Sequence, residues 1–334
     1  MTGPASSPAG RRIRALDSAP GADRRLTGMN GTTPGLQDYA RHSGYSDPRS
    51  HRALVAAVGT DPDSLHRAAT ATIAHYRADP VPPSEEQLAD IDRRWLDRLL
   101  DAAAARADGP LDAPRTAEQR VGGCCRDHSL LAVGVLREHG IPARTRLGFA
   151  DYFTPGYRHD HVVVERWDPG SRSWRRSDPE LEAGSREFDV HAMPAGEGSP
   201  FETAAEAWIA YREGRTDLAD YGVGPGTGFG GPWIVQNYVI GDLAHRQRTE
   251  LLLWDGWGEM TEPGEAIGEE LAELTDRIAR LTVAADAGDD DAERELAERW
   301  AADERLRPGR VVETHSPSGR VGRTDLERRE TDWA

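Results

Sequence analysis

The two cysteines of the chain are neighbours, and Cys125 is the residue best placed for nucleophilic chemistry. Gly122 and Gly123 precede the Cys124-Cys125 pair, and an apolar helical run follows over residues 126–139. The partial positive charge at a helix N-terminus favours thiolate over thiol, so the position predicts an activated sulfur. Glycines before it let a substrate carbonyl approach closely. The sequence therefore predicts a cysteine nucleophile at the start of a helix.

Such a nucleophile needs a base and a group that orients the base. His161 opens one predicted strand, Asp178 closes the next, and the segment Asp-Pro-Gly-Ser at 168–171 predicts a hairpin turn between them. Antiparallel neighbours place the start of one strand beside the end of the other, so we expect His161 and Asp178 to be adjacent. The predicted triad is Cys125 as nucleophile, His161 as general base and then acid, and Asp178 as orienting group.

Motifs surround these three residues in a defined order. In chain order they are GCCRDHS (123–129), LREHGIPAR (136–144), His161 with Glu165, and Trp174 with Asp178 and Pro179. This order resembles the core of the transglutaminase-like superfamily, including bacterial transglutaminase-like domain proteins. The sequence departs from the family pattern at Val163, where an aromatic residue is usual, and at Cys124, where a second cysteine is unusual. Register with Gly140 favours Cys125 as the nucleophile.

The resemblance implies a fold and a mechanism. The fold would be α+β of papain-like type, with the nucleophile helix packed on an antiparallel sheet that carries His161 and Asp178. The Cys125 thiolate would attack an amide or thioester carbonyl, and backbone N–H groups near it would hold the oxyanion. Water or an amine would then resolve the acyl-enzyme. We expect an amide- or thioester-containing substrate, either a small molecule or a peptide, and no cofactor.

Other residues near the motifs are candidates for supporting roles. Cys124 is expected to support the backbone, and His159 shares a strand face with His161, so both could line the site. A glycine-rich run over 222–231 lacks the ending of a phosphate-binding loop and is interpreted as a mobile loop or lid, with Trp233 and Gln236 as substrate candidates after it.

Three further residues are expected to be structural. Asp127 interacts favourably with the helix N-terminus, while Arg144 and Glu165 are ion-pair candidates. His128 is expected to be buried and hydrogen-bonded rather than catalytic.

Three other functions remain open on the sequence alone. An acyl-CoA-dependent N-acyltransferase of the arylamine acetyltransferase kind also orders Cys, His and Asp, and Arg120 to Gly123 faintly resembles its motif. A non-catalytic binding or scaffold protein could use the same fold. A zinc hydrolase could draw on His159, Asp160 and His161 together with His128 and the cysteines, but adjacent cysteines lack the C-x₂-C spacing of closed zinc sites, so we expect no metal.

The elements that must position these residues follow from apolar periodicity and breakers. The sequence predicts helices over 62–77, 84–105, 126–139, 201–213 and 233–246, an amphipathic stripe from 267 to 281, and strands over 143–150, 161–167 and 172–178. Gly140 and Pro142 are placed to end the central helix. The organisation predicted is a disordered tail (1–35), a catalytic domain with helical additions (36–260), an amphipathic and acidic helical segment (261–306) and a polar, frayed C-terminal tail (307–334).

Composition limits the partners. The 334 residues carry a formal net charge of −16, which repels nucleic-acid phosphates and anionic lipid heads. No apolar run approaches the length of a membrane span, and no apolar stretch follows the N-terminal arginines as in a secretory signal. Two adjacent cysteines make no disulfide framework. We expect a cytoplasmic protein that binds neither nucleic acid nor membrane.

Overall fold

A computed structural model describes residues 34–196 and 198–334 of the protein. The expectation of a disordered tail over 1–35 therefore lies outside the described residues, apart from Pro34 and Gly35, which lead into the first helix. Among the described residues, no helix is both long and apolar enough to cross a bilayer.

The described residues contain helices and strands in alternation. The α-helices are α1 (Leu36–Tyr39), α2 (Arg52–Ala56), α3 (Pro62–Thr72), α4 (Glu85–Asp90), α5 (Leu96–Arg106), α6 (Cys125–Glu138), α7 (Ala204–Arg212), α8 (Pro232–Arg246), α9 (Glu269–Asp286) and α10 (Asp290–Ala302). The strands are β1 (Ile73–His75), β2 (Val121–Gly123), β3 (Ala143–Thr154), β4 (Tyr157–Asp168), β5 (Ser173–Ser177), β6 (Phe201–Thr203), β7 (Tyr221–Gly222), β8 (Asp255–Gly256), β9 (Val311–His315), β10 (Val321–Asp325) and β11 (Glu330–Trp333).

A five-stranded sheet forms the centre of the fold. Its order is β5-β4-β3-β6, all antiparallel, with β7 running parallel to the first residues of β4. The strands β3 and β4 are longer than predicted, because the Pro155-Gly156 turn joins them directly and Thr154 pairs with Tyr157. Gly156 has a φ of +78°, which suits glycine at the third position of a tight turn.

Helix α6 packs against this sheet and is buried over nearly its whole length. Its apolar side chains meet those of α2, α3 and α5 on one side. Helices α7 and α8 pack against β3, and α9 packs on α7 and α8. The helix ends after Glu138, where Gly140 adopts a φ of +69° and Ile141 N–H donates to Leu136 O. This is the glycine-terminated end that the sequence predicts.

Two predicted helices are shorter than expected. The helix over 62–77 stops at Thr72, and the chain continues as β1, which pairs in parallel with β2. The helix over 84–105 is divided into α4 and α5, with Trp95 in an extended conformation before α5. In both places long-range pairing and packing override the local helical pattern.

The C-terminal expectation is also wrong. Residues 307–334 are not a frayed tail, since β9, β10 and β11 form a four-stranded sheet with β8. The residues that face inward on β9 and β10 include Thr314 and Thr324, whose hydroxyl oxygens lie 3.0 Å apart. The buried Arg94 donates hydrogen bonds to Thr314 and to Asp255. The alternation of the strands is therefore carried partly by threonine and escapes an apolar-periodicity search.

The segment expected to be helical over 261–306 forms α9 and α10, and these helices belong to one compact unit with the other described residues. The predicted helix over 201–213 begins three residues later, after β6, with Thr203 as its N-cap. The architecture is mixed helix and antiparallel sheet, which confirms the predicted α+β class.

Candidate active site

The candidate nucleophile Cys125 is the first residue of α6, and Cys124 is the N-cap. Strand β2 leads directly into it, and only glycine fits there, because a Cβ on Gly122 would lie 2.0 Å from the Gln87 carbonyl oxygen. Asp127 Oδ2 accepts from Cys124 N–H at 2.9 Å, which caps the helix. Both thiols are buried. Asp127 thus interacts with the helix N-terminus, as expected.

The environment of Cys125 favours the thiol rather than the thiolate. The side-chain contact with Cys124 raises the pKa of Cys125 well above its ordinary value, and burial and the charges on Glu180 and Asp160 raise it further. The helix terminus alone predicts the opposite direction. Burial and nearby carboxylates outweigh the partial charge of the helix, so the resting state holds the proton on sulfur.

His161 lies on β4, and its partner is Asp178, the residue after β5. His161 Nε2 lies 2.8 Å from Asp178 Oδ2, and both side chains are buried. Since a carboxylate can only accept here, Nε2 carries the hydrogen and Nδ1 is left to accept a proton. Burial would lower the pKa of His161, but the charge and hydrogen bond of Asp178 outweigh it and raise the pKa.

Asp178 is itself held by other donors. Tyr152 OH donates to the same oxygen at 2.8 Å, and Glu180 N–H donates to Oδ1 at 2.9 Å. The rings of Tyr152 and Phe153 present edge-to-face contacts to His161, with centroids 6.0 and 5.0 Å away. These contacts fix the plane of the imidazole.

Electrostatic coupling places Cys125 in the same neighbourhood as this pair. The charge of Glu180 raises the pKa of both Cys125 and His161. The pKa of Tyr152 is raised chiefly by burial, and then by the charges of Asp178, Glu180 and Cys125. Among the described residues, no hydrogen bond joins Cys125 Sγ to His161. Hydrogen bonds between nucleophile and base are often formed only when substrate arrives.

The remaining predicted site residues have different surroundings. Cys124 supports the backbone through its carbonyl and amide groups. His159 Nε2 lies 2.8 Å from Thr154 Oγ1, at the hairpin tip, and burial lowers its pKa. Gln236 is buried in α8 and its Oε1 accepts from Thr261 at 2.8 Å, and the part of the chain that the structure describes shows no bond from it to the triad residues.

The glycine-rich run over 222–231 is tied to the site at its first residues. Gly222 pairs with His159 in register and forms a bridge with Gly230. Arg77 Nη1 donates to Val223 O at 2.8 Å. Trp233, at the start of α8, contacts the exposed ring of Phe229 with centroids 6.3 Å apart. The lid interpretation of this loop stays a prediction.

Several residues near Cys125 escaped the sequence reasoning. The parallel β1–β2 pair brings Tyr76 and Arg77 beside the cysteines, and Tyr76 N–H donates to Gly123 O at 2.9 Å. Asp160 accepts from Arg77 at 3.2 Å and from Tyr238 OH at 2.7 Å. Pairing between segments nearly fifty residues apart leaves no local signal. Position beside His161 was the one sequence cue available for Asp160.

Glu180 was also missed, although it lies two residues after Asp178. Its Oε1 lies 3.0 Å from His128 Nδ1 and 3.9 Å from His75 Nε2. Burial opposes ionisation, yet the charges of the two imidazoles hold the pKa of Glu180 below its usual range. His128 is buried and hydrogen-bonded, in agreement with its expected role.

A group of side chains of the kinds that bind metals lies away from the candidate triad residues. Within residues 34–196 and 198–334, one group of three such side chains has ligand atoms within 4.8 Å of one another: Glu262, Glu313 and His315, all exposed. None of the predicted site residues belongs to it. Exposed acidic groups commonly gather without holding a metal.

Comparisons with known proteins agree with part of this description. Residues 78–179, which include Cys125, His161 and Asp178, match the model of the transglutaminase-like superfamily. A crystal structure of a candidate cysteine protease from Cytophaga hutchinsonii aligns at 16% identity with a TM-score of 0.22, over 47% of this chain and 46% of that chain. The alignment thus spans about half of that protein's length. A search of the curated proteins gave no match.

Proposed function

Since the chain is a transglutaminase-like superfamily protein, we propose that it performs cysteine-dependent acyl transfer through a thioester acyl-enzyme on Cys125. The reaction would be hydrolysis of an amide or formation of a new amide. The observation that carries this proposal is the 2.8 Å bond between His161 Nε2 and Asp178 Oδ2. It leaves Nδ1 as the free, basic nitrogen of a buried and oriented imidazole.

The steps balance as an acyl transfer. His161 Nδ1 takes the proton of the Cys125 thiol as sulfur attacks the carbonyl carbon, and the negative charge moves to the carbonyl oxygen. The tetrahedral intermediate then collapses, the C–N bond breaks, and the imidazolium returns its proton to the leaving amine. Water or a second amine then attacks the thioester carbonyl while His161 accepts its proton. The C–S bond breaks, the imidazolium returns the proton to the sulfur of Cys125, and the acid or the new amide leaves.

The raised pKa of Cys125 fits this sequence. A sulfur that remains protonated at rest depends on His161 for activation, so nucleophile and base act together when the substrate arrives. The backbone N–H of Cys125 is one of the first N–H groups of α6, which have no partner inside the helix. It is the natural donor to the developing oxyanion.

The composition restricts the acceptor. The chain contains no lysine, since all 41 of its basic residues other than histidine are arginine. A cross-link between copies of this chain through lysine side chains is therefore impossible. No side-chain amine of this sequence can therefore serve as the acceptor.

The absence of lysine also simplifies the test. We would mix the protein with p-nitrophenyl acetate, follow the burst of p-nitrophenol, and locate the acetyl group by fragment mass spectrometry. Cleavage after Arg120 and Arg126 places both cysteines in one peptide, so fragmentation must separate Cys124 from Cys125. No lysine amine competes for the acetyl group.

We expect an acetyl group on Cys125 and a burst equal to the amount of enzyme. The Cys125→Ala variant should lose the burst, and Cys124→Ala, the matched control, should keep it. Acetylation of Cys124, or a burst that survives in Cys125→Ala, would contradict the proposal. A protein that never forms an acyl-enzyme would be a binding or scaffold protein on the same fold.

A further inference from the structure

Two imidazoles flank the partly buried Glu180, which the proposed mechanism does not use: His128 is buried and His75 is partly buried. Glu180 Oε1 lies 3.0 Å from His128 Nδ1 and 3.9 Å from His75 Nε2, is shielded from solvent, and accepts no well-aligned hydrogen bond among the described residues. Both of its ion-pair partners are histidines, a residue type that changes charge near neutral pH.

His128 connects Glu180 to the nucleophile. Its Nδ1 lies 2.9 Å from the Cys124 carbonyl oxygen as well as 3.0 Å from the carboxylate. Both neighbours are acceptors, so Nδ1 carries a hydrogen whether the ring is neutral or charged. The hydrogen bond points at the carbonyl, and the carboxylate supplies a charge beside it. Both the ring and the carbonyl are thus fixed.

The carbonyl of Cys124 belongs to the same peptide unit as the N–H of Cys125. A trans peptide is planar, and its C=O and N–H point in opposite directions. Three donors hold this carbonyl: Asp127 N at 2.9 Å, His128 N at 3.2 Å and His128 Nδ1 at 2.9 Å. Because these three hydrogen bonds fix the direction of the Cys124 C=O, they also fix the direction of the Cys125 N–H in the same peptide plane. That N–H has no acceptor among the described residues.

His75 fixes the other side of Glu180. Its Nδ1 accepts from the backbone N–H groups of Arg77 and Ala78, each at 3.2 Å, so the ring hydrogen lies on Nε2 and faces the carboxylate. The ring stacks on His128 with centroids 6.3 Å apart. Glu180 is therefore held between β1 and α6.

We propose that Glu180 and His128 are positioning residues for acyl transfer, which hold the Cys124–Cys125 peptide so that the Cys125 N–H points at the oxyanion of the substrate. This inference rests on the proposed function. It adds to it two residues that touch neither the substrate nor the reacting atoms and act through the backbone of the nucleophile. The cost of misplacing such a donor is large, because displacements of about 1 Å lower rates by about 10²-fold.

The charge of Glu180 has a second, separable effect. The titratable and charged groups that face it come from every neighbouring element: His75 (β1), Cys125 and His128 (α6), Tyr152 (β3), His161 (β4) and Asp178 after β5. Its negative charge makes a proton harder to remove from Cys125 and from His161, and raises both pKa values. Removing the charge must shift both titrations to lower pH.

The first experiment uses Glu180→Gln, with Glu182→Gln as the matched control. Glu182 is exposed and two residues away, so it undergoes the same chemical change outside the site. We would measure the rate of Cys125 alkylation by iodoacetamide against pH, and the acylation rate with p-nitrophenyl acetate. Alkylation needs no oxyanion donor, whereas acylation does.

We expect opposite movements in Glu180→Gln. The alkylation profile of Cys125 should shift to lower pH, so that the thiol reacts faster in acid, while kcat for acylation falls about 10- to 100-fold with little change in KM. Glu182→Gln should match the wild type in both. An unchanged kcat for acylation in Glu180→Gln would overturn the proposal, whether or not the alkylation profile shifts.

A second pair of variants tests the hydrogen bond itself. His128→Asn places an amide N–H near the position of Nδ1 and can still donate to the Cys124 carbonyl, whereas His128→Ala cannot. We expect acylation to be slow in His128→Ala and largely restored in His128→Asn. Equal rates in the two variants would overturn the role of His128.

Failure of the proposed function has a different signature. In that case the wild-type protein forms no acyl-enzyme at all, and the acylation readouts vanish for every variant. Failure of the positioning role alone leaves the wild-type burst intact and gives Glu180→Gln the same acylation rate as Glu182→Gln.

Discussion

Carboxylates away from solvent in this protein include two sets that differ in their cationic partners. In the scaffold, these buried carboxylates pair with arginine: Glu165 with Arg144, Arg146 and Arg176; Asp242 with Arg146; Glu250 with Arg137; and Asp255 with Arg94. At the candidate site, the buried Asp178 and the partly buried Glu180 pair with histidines, while Asp160 nearby pairs with Arg77. We call the first group the arginine network and the second the histidine-paired carboxylates.

The difference concerns titration. Arginine stays protonated throughout the physiological range, so its ion pairs do not respond to pH. Burial opposes ionisation of Glu165, yet the charges of Arg146, Arg144 and Arg176 hold its pKa well below the usual range. Histidine changes charge near neutrality. The scaffold thus keeps permanent charges, and groups that can exchange protons are concentrated around the nucleophile.

The largest effect is expected for Asp178→Asn. An asparagine amide would donate to His161 Nε2 and force the ring hydrogen onto Nδ1, which then cannot accept the thiol proton. We expect the acylation rate to fall about 10⁴-fold, as the same change does in a Ser-His-Asp triad. Thermal unfolding should change far less than the rate, since Glu180 N–H can still donate to the remaining oxygen. Retained activity in this variant would mean that His161 is not the base.

Glu165→Gln should show the reverse pattern. Glu165 accepts from Arg144 at 2.8 Å, from Arg146 at 3.0 Å and from Arg176 at 3.0 Å, all buried. Loss of its charge leaves buried arginines less compensated, which costs about 3–5 kcal/mol. We expect a lower midpoint of urea unfolding and, in the protein that stays folded, a normal burst with p-nitrophenyl acetate. A stability equal to that of Glu182→Gln would break the comparison.

The parts of the site that depend on short-range spacing in the chain were the parts that the sequence predicted. Cys125 at a helix start and the His161–Asp178 pair across one hairpin depend on short-range spacing, and the structure places these residues accordingly. The helix terminus alone favours a lower pKa for Cys125, whereas the contact with Cys124 and then burial raise that pKa, and the charges of Glu180 and Asp160, which come from distant segments, add to the shift. A helix terminus acts locally, whereas desolvation depends on the whole fold.

The same limit applies to the fold. Helix α6 was predicted with its glycine-terminated end, since capping and apolar periodicity are local properties. Strand β1 was read as helix because its partner, β2, lies far along the chain. Strands β9 to β11 were read as a tail, because Thr314 and Thr324 occupy inward positions where apolar residues are expected. Threonine is a good strand residue, but polarity scales count it as surface.

His245 in the scaffold extends the comparison, because its pKa shifts in the opposite direction from those of His161 and His128. It is buried in α8, its Nδ1 accepts from Thr145 OH at 2.8 Å, and its Nε2 donates to Leu251 O at 3.1 Å. Burial lowers its pKa to about 4, although Glu250 opposes the shift. Asp178 and Glu180 raise the pKa values of His161 and His128 against the effect of burial.

The sign of the pH dependence follows. The unfolded chain protonates His245 near pH 6.5 and the native state only near pH 4, so stability is lost as pH falls through that window, by about 3 kcal/mol. The raised histidines stabilise fully below pH ~6.5 and lose this only as pH rises. His245→Gln keeps a donor for Leu251 and cannot titrate, so its urea midpoint should fall less between pH 7 and pH 4 than that of the wild type. Equal losses in both proteins would show that the scaffold does not keep His245 neutral, and the contrast with the site would fail there.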